Sequence, residues 1–272
     1  MSRFAIFTIV RNEPFFLKLW CDYYTHAFAE ADMYVLDNGT EDNSVSDAKK
    51  MYPKINIVSV PTTWAFDHMW LLNTVHQMQT YLFKDHDCVV FAESDEFLIP
   101  GDAYADLSDY CKFFMSTTKT YARAKGYGVV HQIDTEPALD LSVKSQVLKH
   151  RNVMFDSPQY DKTLISRMPL RWGRGHHQIY IGDVKKMDKS DVEADLSLLH
   201  AQQLDINVYY DRVMDRFARL KIKNAMHGSK DRAAVETFYR TNKIPWDNNT
   251  SVCFGEPIVI PQSWKDRLVF KP

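Results

Sequence analysis

Short apolar runs alternate with amphipathic stretches along the first hundred residues. Phe4-Ala5-Ile6-Phe7-Thr8-Ile9-Val10 is nearly continuous in apolar residues, the pattern of a strand buried on both faces of a parallel sheet. Phe15 to Tyr24 follows with apolar positions at helical spacing and Pro14 near its start, where a proline costs a helix nothing. Met33 to Leu36 reads as a second strand, ending in the polar turn Asp37-Asn38-Gly39-Thr40-Glu41-Asp42-Asn43-Ser44 before a helix from Val45 to Met51. Ile55 to Val60 reads as a third strand, stopped at Pro61, and Trp64 to Lys84 as mostly helical. Each strand hands its carboxyl end to a polar loop. This rhythm predicts a mostly parallel α/β sheet flanked by helices on both faces, with ligands bound outside the carboxyl ends of the strands.

The segment Cys88 to Pro100 changes the picture from fold to chemistry. An apolar run, Cys88-Val89-Val90-Phe91-Ala92, empties into Glu93-Ser94-Asp95-Glu96 and then resumes as Phe97-Leu98-Ile99. In an extended chain side chains alternate, so Glu93 and Asp95 are expected on one side. Carboxylates so close resist ionising together unless a cation lies between them, and oxygen ligands suit Mg²⁺ or Mn²⁺ better than zinc. The alternative is a capped strand end with solvated acids.

Further along, Gly101 to Thr117 reads as a loop and helix, Thr120 to Ile133 as a strand region, and Leu196 to Leu199 as a strand ending at His200. Asp205 to Met226 and Arg232 to Arg240 have helical period. The last stretch, Trp246 to Pro272, carries Pro257 and Pro261, so it is expected to wrap the surface without extending the sheet. The division that follows is residues 1–205 as the main unit and 206–272 as a helical C-terminal extension packed on it.

Taken in order, Val10-Arg11-Asn12-Glu13, Leu36-Asp37-Asn38-Gly39-Thr40-Glu41-Asp42 and Glu93-Ser94-Asp95-Glu96-Phe97 resemble the nucleotide-sugar-binding half of GT-A-fold glycosyltransferases. They are most similar to the bacterial family 2 and family 92-like members, whose strand-end signature is Asp-x-Asp-Glu-Phe. Glu136-Pro137, Tyr160-Asp161-Lys162, Gly173-Arg174-Gly175-His176-His177 and Leu198-Leu199-His200 continue the order, so the likeness covers residues 4 to about 205. Glu93 departs from it, standing where the family has aspartate. The resemblance implies a Rossmann-like GT-A sheet and transfer of a sugar from a nucleotide-diphosphate donor to a glycan or glycolipid hydroxyl. It also implies a Mn²⁺ or Mg²⁺ ion that absorbs charge on the leaving diphosphate.

On that reading Glu93, Asp95 and His200 hold the metal, His200 by its family position, although a lone histidine after an apolar run is more often structural. Asp37 and Asn38 meet base or ribose, and Arg11, Asn12 and Glu13 stand at the first strand end, where a guanidinium can approach phosphate. Ser94 is a candidate donor to ribose or phosphate, and Lys162 contacts the diphosphate. His176 and His177 belong to a loop on the acceptor or phosphate side. Ordinary Asx turns and helix caps remain alternatives at the first two strand ends. For an inverting transfer the general base is expected to be Glu136, with Asp134 and Glu96 in reserve.

Composition narrows the surroundings. The chain has 272 residues, 45% hydrophobic, and a net charge of -2, enough for a substantial core and without the basic excess of a nucleic-acid binder. The four cysteines have no Cys-x-x-Cys pair, so reduced thiols are expected. Met1-Ser2-Arg3 leads straight into a strand, and no apolar run reaches ~18 residues, which points to a cytoplasmic protein, with peripheral membrane attachment left open. Two rivals remain: a nucleotidyltransferase, whose Gly-rich N-terminal phosphate loop has no counterpart before Gly39, and a non-catalytic nucleotide-sugar-binding or assembly protein on the same fold.

Overall fold

The computed structural model describes residues 2–61, 67–181, 184–186, 192–219, 229–242 and 255–270. The first part alternates as expected: β1 (Phe4–Val10), α1 (Phe16–Ala27), β2 (Ala31–Asp37), α2 (Ser44–Met51), β3 (Asn56–Ser59), α3 (His68–Leu82) and β4 (Cys88–Phe91). Residues 64–66 of the helix expected before β4 lie outside the described residues. Then follow β5 (Glu96–Pro100), α4 (Leu107–Ser116), β6 (Tyr121–Val129), β7 (Ser145–Gln146), β8 (Val153–Asp156), β9 (Lys162–Ser166), β10 (Arg171–Trp172), β11 (Ile179–Ile181), β12 (Val184–Lys186) and β13 (Val192–His200). The chain continues through α5 (Ile206–Arg219), α6 (Arg232–Thr241), β14 (Pro257–Val259), α7 (Gln262–Arg267) and β15 (Val269–Phe270).

Ten of these strands form one mixed α/β sheet flanked by helices. β3, β2, β1 and β4 lie side by side in that order and all run parallel. β9 is antiparallel to β4 and to β6. β13 runs parallel to β6 and antiparallel to β5. With β8 antiparallel to β6 and β14 antiparallel to β8, seven of the ten strands, β1 included, run in the direction of β1. Because β1 has β2 on one side and β4 on the other, the connections leave it in opposite senses, and a crevice opens at its carboxyl end.

Helix α1 secures the acid-bearing strand from beneath. Tyr23 Oη donates to the Leu98 carbonyl at 2.6 Å and Tyr24 Oη to that of Glu96 at 3.0 Å, while Leu98 N–H donates to Tyr24 Oη. These carbonyls are buried, so each bond removes a polar group that would otherwise be stranded. Trp20, Phe16 and Leu17 on the same helix are fully buried in the core.

The C-terminal tail departs from expectation. Pro257–Val259 pairs antiparallel with β8 and so extends the sheet, and Val269–Phe270 pairs with β7. Proline is tolerated at the first position of an edge strand, where its missing N–H breaks no interior ladder. Residues 220–226 of the helix expected after Asp205, and 246–254 of the tail, lie outside the described residues. Among the described residues no helix is long and apolar enough to cross a membrane.

Gly126, in β6, lets the chain at Tyr160 come close. A Cβ there would lie 2.3 Å from the Tyr160 carbonyl carbon and 2.5 Å from its oxygen, and backbone cannot swing aside as a side chain can. Gly126→Ala is expected to lower stability by about 3 kcal/mol through overpacking, read as a lower midpoint in urea at unchanged slope.

Candidate functional site

Three loops converge at the carboxyl ends of β2, β1 and β4. Asn38 N–H donates to the Val10 carbonyl at 2.9 Å, and Ala92 N–H to that of Phe7 at 3.2 Å, so the three exits are laced together. Asn12 adopts a left-handed φ of 52°, a conformation that asparagine tolerates better than most residues. Its Oδ1 accepts Glu41 N–H at 2.9 Å and its Nδ2 donates to Asp215 of α5 at 3.1 Å. Arg11 is ion-paired with Glu41 at 3.0 Å. Asp37 Oδ1 accepts Thr40 N–H at 2.8 Å, an Asx turn. Among the described residues, Asn38 Oδ1 and Thr40 Oγ1 are buried with no hydrogen-bond partner.

The acidic segment is not extended. Ser94 and Asp95 form a turn between β4 and β5, so the expectation that alternation puts Glu93 and Asp95 on one side is replaced by a turn that sends them to different cations. Lys162, at the start of β9, donates to Glu93 Oε2 at 2.7 Å and also pairs with Glu96. Arg212, on α5, donates Nη1 to Asp95 Oδ2 at 2.7 Å, and Nε and Nη2 to Glu13 Oε1 at 3.0 and 2.7 Å. Ser94 is buried in the turn.

The charges follow from burial and these pairs. Burial opposes ionisation of Glu93, but Lys162 outweighs it and holds that carboxyl well below the usual range. Asp95 is likewise lowered, with Arg212 and His200 overcoming burial. Glu96, deeper and fully buried, is pushed up to about 8 by burial, against Lys162 and with Glu93 and Asp95 adding to the rise. Near neutrality it carries its proton most of the time. Glu13 is raised by burial despite Arg212. Lys162 and Arg212 are raised by their carboxylates and stay cationic.

Three imidazoles face this cluster. His200 closes β13 and stacks on Tyr160 with centroids 4.0 Å apart and planes 7° from parallel. The Asp95 carbonyl accepts from Ala201 N–H at 2.8 Å, which fixes the strand end against the turn. His176 has a left-handed φ of 59° beside Gly175 at 63°, free for the glycine but strained for the histidine in the way seen at working sites. That twist turns the His176 ring inward against Phe91, at 4.7 Å, with Nδ1 3.9 Å from Glu93 Oε1. A Cβ on Gly175 would lie 2.6 Å from His177 Nε2. Among the described residues, neither ring nitrogen of His176, nor Nδ1 of His177 or His200, has a hydrogen-bond partner. Burial lowers all three, His176 and His200 to about 4 and His177 to about 3, so all are neutral at pH 7.

The metal set expected from the sequence, Glu93, Asp95 and His200, is not assembled. Among the described residues no group of three or more His, Cys, Asp or Glu side chains converges to hold an ion, and Glu93 is given to Lys162. The donor chemistry still suits a divalent ion at a smaller site. His200 offers a neutral, unpartnered Nδ1 beside Asp95, whose Oδ2 is the oxygen on Arg212. Mg²⁺-type ions are commonly held by one or two protein ligands plus substrate phosphates.

Of the expected bases, Glu96 lies in the cluster, whereas Glu136 and Asp134 are engaged elsewhere. Glu136 accepts Gln132 N–H on Oε2 at 3.0 Å and Asn152 N–H on Oε1 at 2.9 Å, with Arg151 Nη1 3.7 Å away. Both oxygens hold backbone amides, so in this structure the carboxylate braces its loop. Asp134 is exposed and paired with Arg240 at 3.1 Å. The sequence reading missed Arg212 altogether. Its signal was faint, an arginine on the apolar-facing side of an amphipathic helix beyond the recognised motifs.

The sequence matches no family model and no curated protein. Among solved structures it is similar to Staphylococcus aureus TarS, with a TM-score of 0.37 and 16% identity over 61% of this chain and 28% of that one. It is also similar to a mannosyltransferase from Pyrobaculum calidifontis in complex with GDP-Man and Mn²⁺ (TM-score 0.34, 17% identity, 49% of this chain and 37% of that one). A third is glucosyl-3-phosphoglycerate synthase from Mycobacterium tuberculosis with Mg²⁺ and UDP (TM-score 0.25, 18% identity, 35% and 34%). The chain spans less than half the length of each, and the likeness is one of partial fold.

Two measurements follow from this geometry. Between pH 4 and 6.5 the unfolded chain binds a proton on His176 that the folded protein refuses, so this histidine's term is harmless above pH 6.5 and erodes stability as pH falls through that window. The drop in melting temperature from pH 6.5 to 4.5 should be smaller in His176→Asn than in the unchanged protein, and equal drops would contradict the burial of a neutral ring. Glu136→Gln should lower the melting temperature by weakening the hold on Asn152 and Arg151, while leaving nucleotide affinity of the folded protein within about twofold.

Proposed function

We propose that the protein transfers a sugar from a nucleotide-diphosphate donor to a hydroxyl of a glycan or glycolipid. The observation that carries this reading is the Glu93-Ser94-Asp95 turn at the switch point of the sheet, faced by Lys162 and by the imidazoles of His176, His177 and His200, whose Nδ1 atoms have no hydrogen-bond partner among the described residues. Ligands of open α/β sheets bind at such a point. The motif order in the sequence and the strand-end geometry support it together.

The roles follow from the groups present. Asn38 Oδ1 and Thr40 Oγ1, buried and without a partner among the described residues, are suited to base or ribose, with Asp37 beside them. Lys162 supplies positive charge beside the leaving diphosphate and is kept in place by Glu93 and Glu96. His176 and His177, neutral, can each accept or donate to sugar hydroxyls. A divalent ion held by Asp95 and His200 would act as a Lewis acid toward the diphosphate. Glu13, Glu93 and Asp95 are ion-paired and Glu96 carries a proton, which favours a single displacement with inversion over a covalent glycosyl intermediate. In this reading residues 1–205 form the donor-binding and catalytic unit, and 206–272 an extension that completes its site.

A thermal-shift screen of UDP-, GDP-, dTDP- and CMP-linked sugars, with and without Mn²⁺, tests the reading. A ligand present at 100 times its dissociation constant stabilises the native state by about 2.7 kcal/mol, so one donor should raise the melting temperature clearly. Asp95→Ala should remove the Mn²⁺-dependent part of the rise. No shift with any nucleotide-sugar would reject the proposal. Binding with no turnover across a panel of acceptors would favour a non-catalytic binding protein, and release of pyrophosphate a nucleotidyltransferase.

A further inference from the structure

Arg212 bridges two of the converging loops, and nothing in the motif order singles it out. Its three bonds use Nε, Nη1 and Nη2, reaching Glu13 after β1 and Asp95 after β4. Its guanidinium carbon lies 4.6 Å over the Phe16 ring, and its side chain is 16% exposed. The helix that carries it is held independently. Asp205 caps α5 by accepting Asn207 N–H at 2.8 Å, and the fully buried Arg151 donates to Asp205 and to the Leu204 carbonyl. Tyr209, Val213 and Phe217 pack into a second apolar cluster with Val130 and Phe155.

Arg216 follows one helical turn later, and the same carboxylates, Glu13 and Asp95, act on it. Like charges at this spacing repel. A planar fork that holds two carboxylate oxygens holds two phosphate oxygens equally well. The carboxylates of Glu13 and Asp95 are both held by Arg212, and those of Glu93 and Glu96 by Lys162. An arriving polyanion must therefore draw a cation away from a carboxylate.

We infer that Arg212 is a ligand of the donor's diphosphate, parked on Asp95 and Glu13 until the donor arrives, when its fork passes to the phosphates and Asp95 is released. This rests on the donor-binding reading above. The identity of the base does not enter it, so inorganic pyrophosphate is a sufficient probe.

Calorimetric titration of pyrophosphate into the full chain, with melting temperatures alongside, tests the assignment. Arg212→Met should bind pyrophosphate at least ~10-fold more weakly, the loss expected for charge-assisted bonds. Mn²⁺ added alone should bind that variant at least as tightly as the unchanged protein, because Asp95 has lost its competing cation. Arg212→Lys, which keeps the charge without the fork, should fall between the two and serves if the Met variant does not fold. Unaltered pyrophosphate affinity in either folded variant, with only the melting temperature lowered, overturns the inference and leaves the donor-binding reading standing. Failure of the unchanged protein to bind pyrophosphate, UDP or GDP overturns both.

Discussion

Four carboxylates, those of Glu13, Glu93, Asp95 and Glu96, are gathered at the ends of two neighbouring parallel strands, and the organisation around them follows from the need to neutralise them. Isolated ionised carboxylates cannot be buried together, because the loss of hydration and their mutual repulsion both favour the protonated form. The chain meets this with one proton and two distant cations. Glu96 keeps the proton, Lys162 comes from β9 and Arg212 from α5. β9 and α5 are thereby tied to the first strand ends by charge.

The same requirement explains the scaffolding outside the crevice. Arg212 can serve two loops only if α5 is held at a fixed height. That is the work of the Asp205 cap, the Arg151 network and the aromatic cluster of Tyr209, Phe238 and Tyr239. Glu136 belongs to this support: its carboxylate holds the Gln132 and Asn152 amides near Arg151. A buried pair of this kind is costly to break because removing one partner leaves a charge with no compensation. The brace is structural, and its effect on the site passes through the helix.

The imidazoles give the crevice a different character from the ion pairs. Enclosure keeps His176, His177 and His200 neutral, so each can offer a lone pair or an N–H without adding charge. Left-handed backbone at His176 and at Asn12 marks positions where the fold accepts local strain to direct a side chain inward. Tyr160, brought close by Gly126, backs His200 with a parallel ring. These groups add polarity to the strand-end cluster without adding charge.

Much of this was legible in the residues alone. The apolar run Phe4–Val10, the helix after Pro14 and the polar strand ends at Asp37 and Glu93 follow from local pattern, because burial on both faces and helical period leave their mark within a few residues. The acidic cluster was evident for the same reason. What local pattern could not carry was partnership. Whether Glu93 and Asp95 share one ion or take separate cations depends on a turn at Ser94–Asp95 and on side chains 69 and 117 positions away. Glu136 looked like a free acid in a polar loop until two backbone amides were found on it, and a proline-bearing tail proved able to add an edge strand. Arg212 had no local signal, since its role is set by the packing of a helix across the end of a sheet formed two hundred residues earlier. Apolar periodicity is a property of neighbours along the chain, whereas charge compensation is a property of neighbours in space, and only the tertiary structure decides the latter.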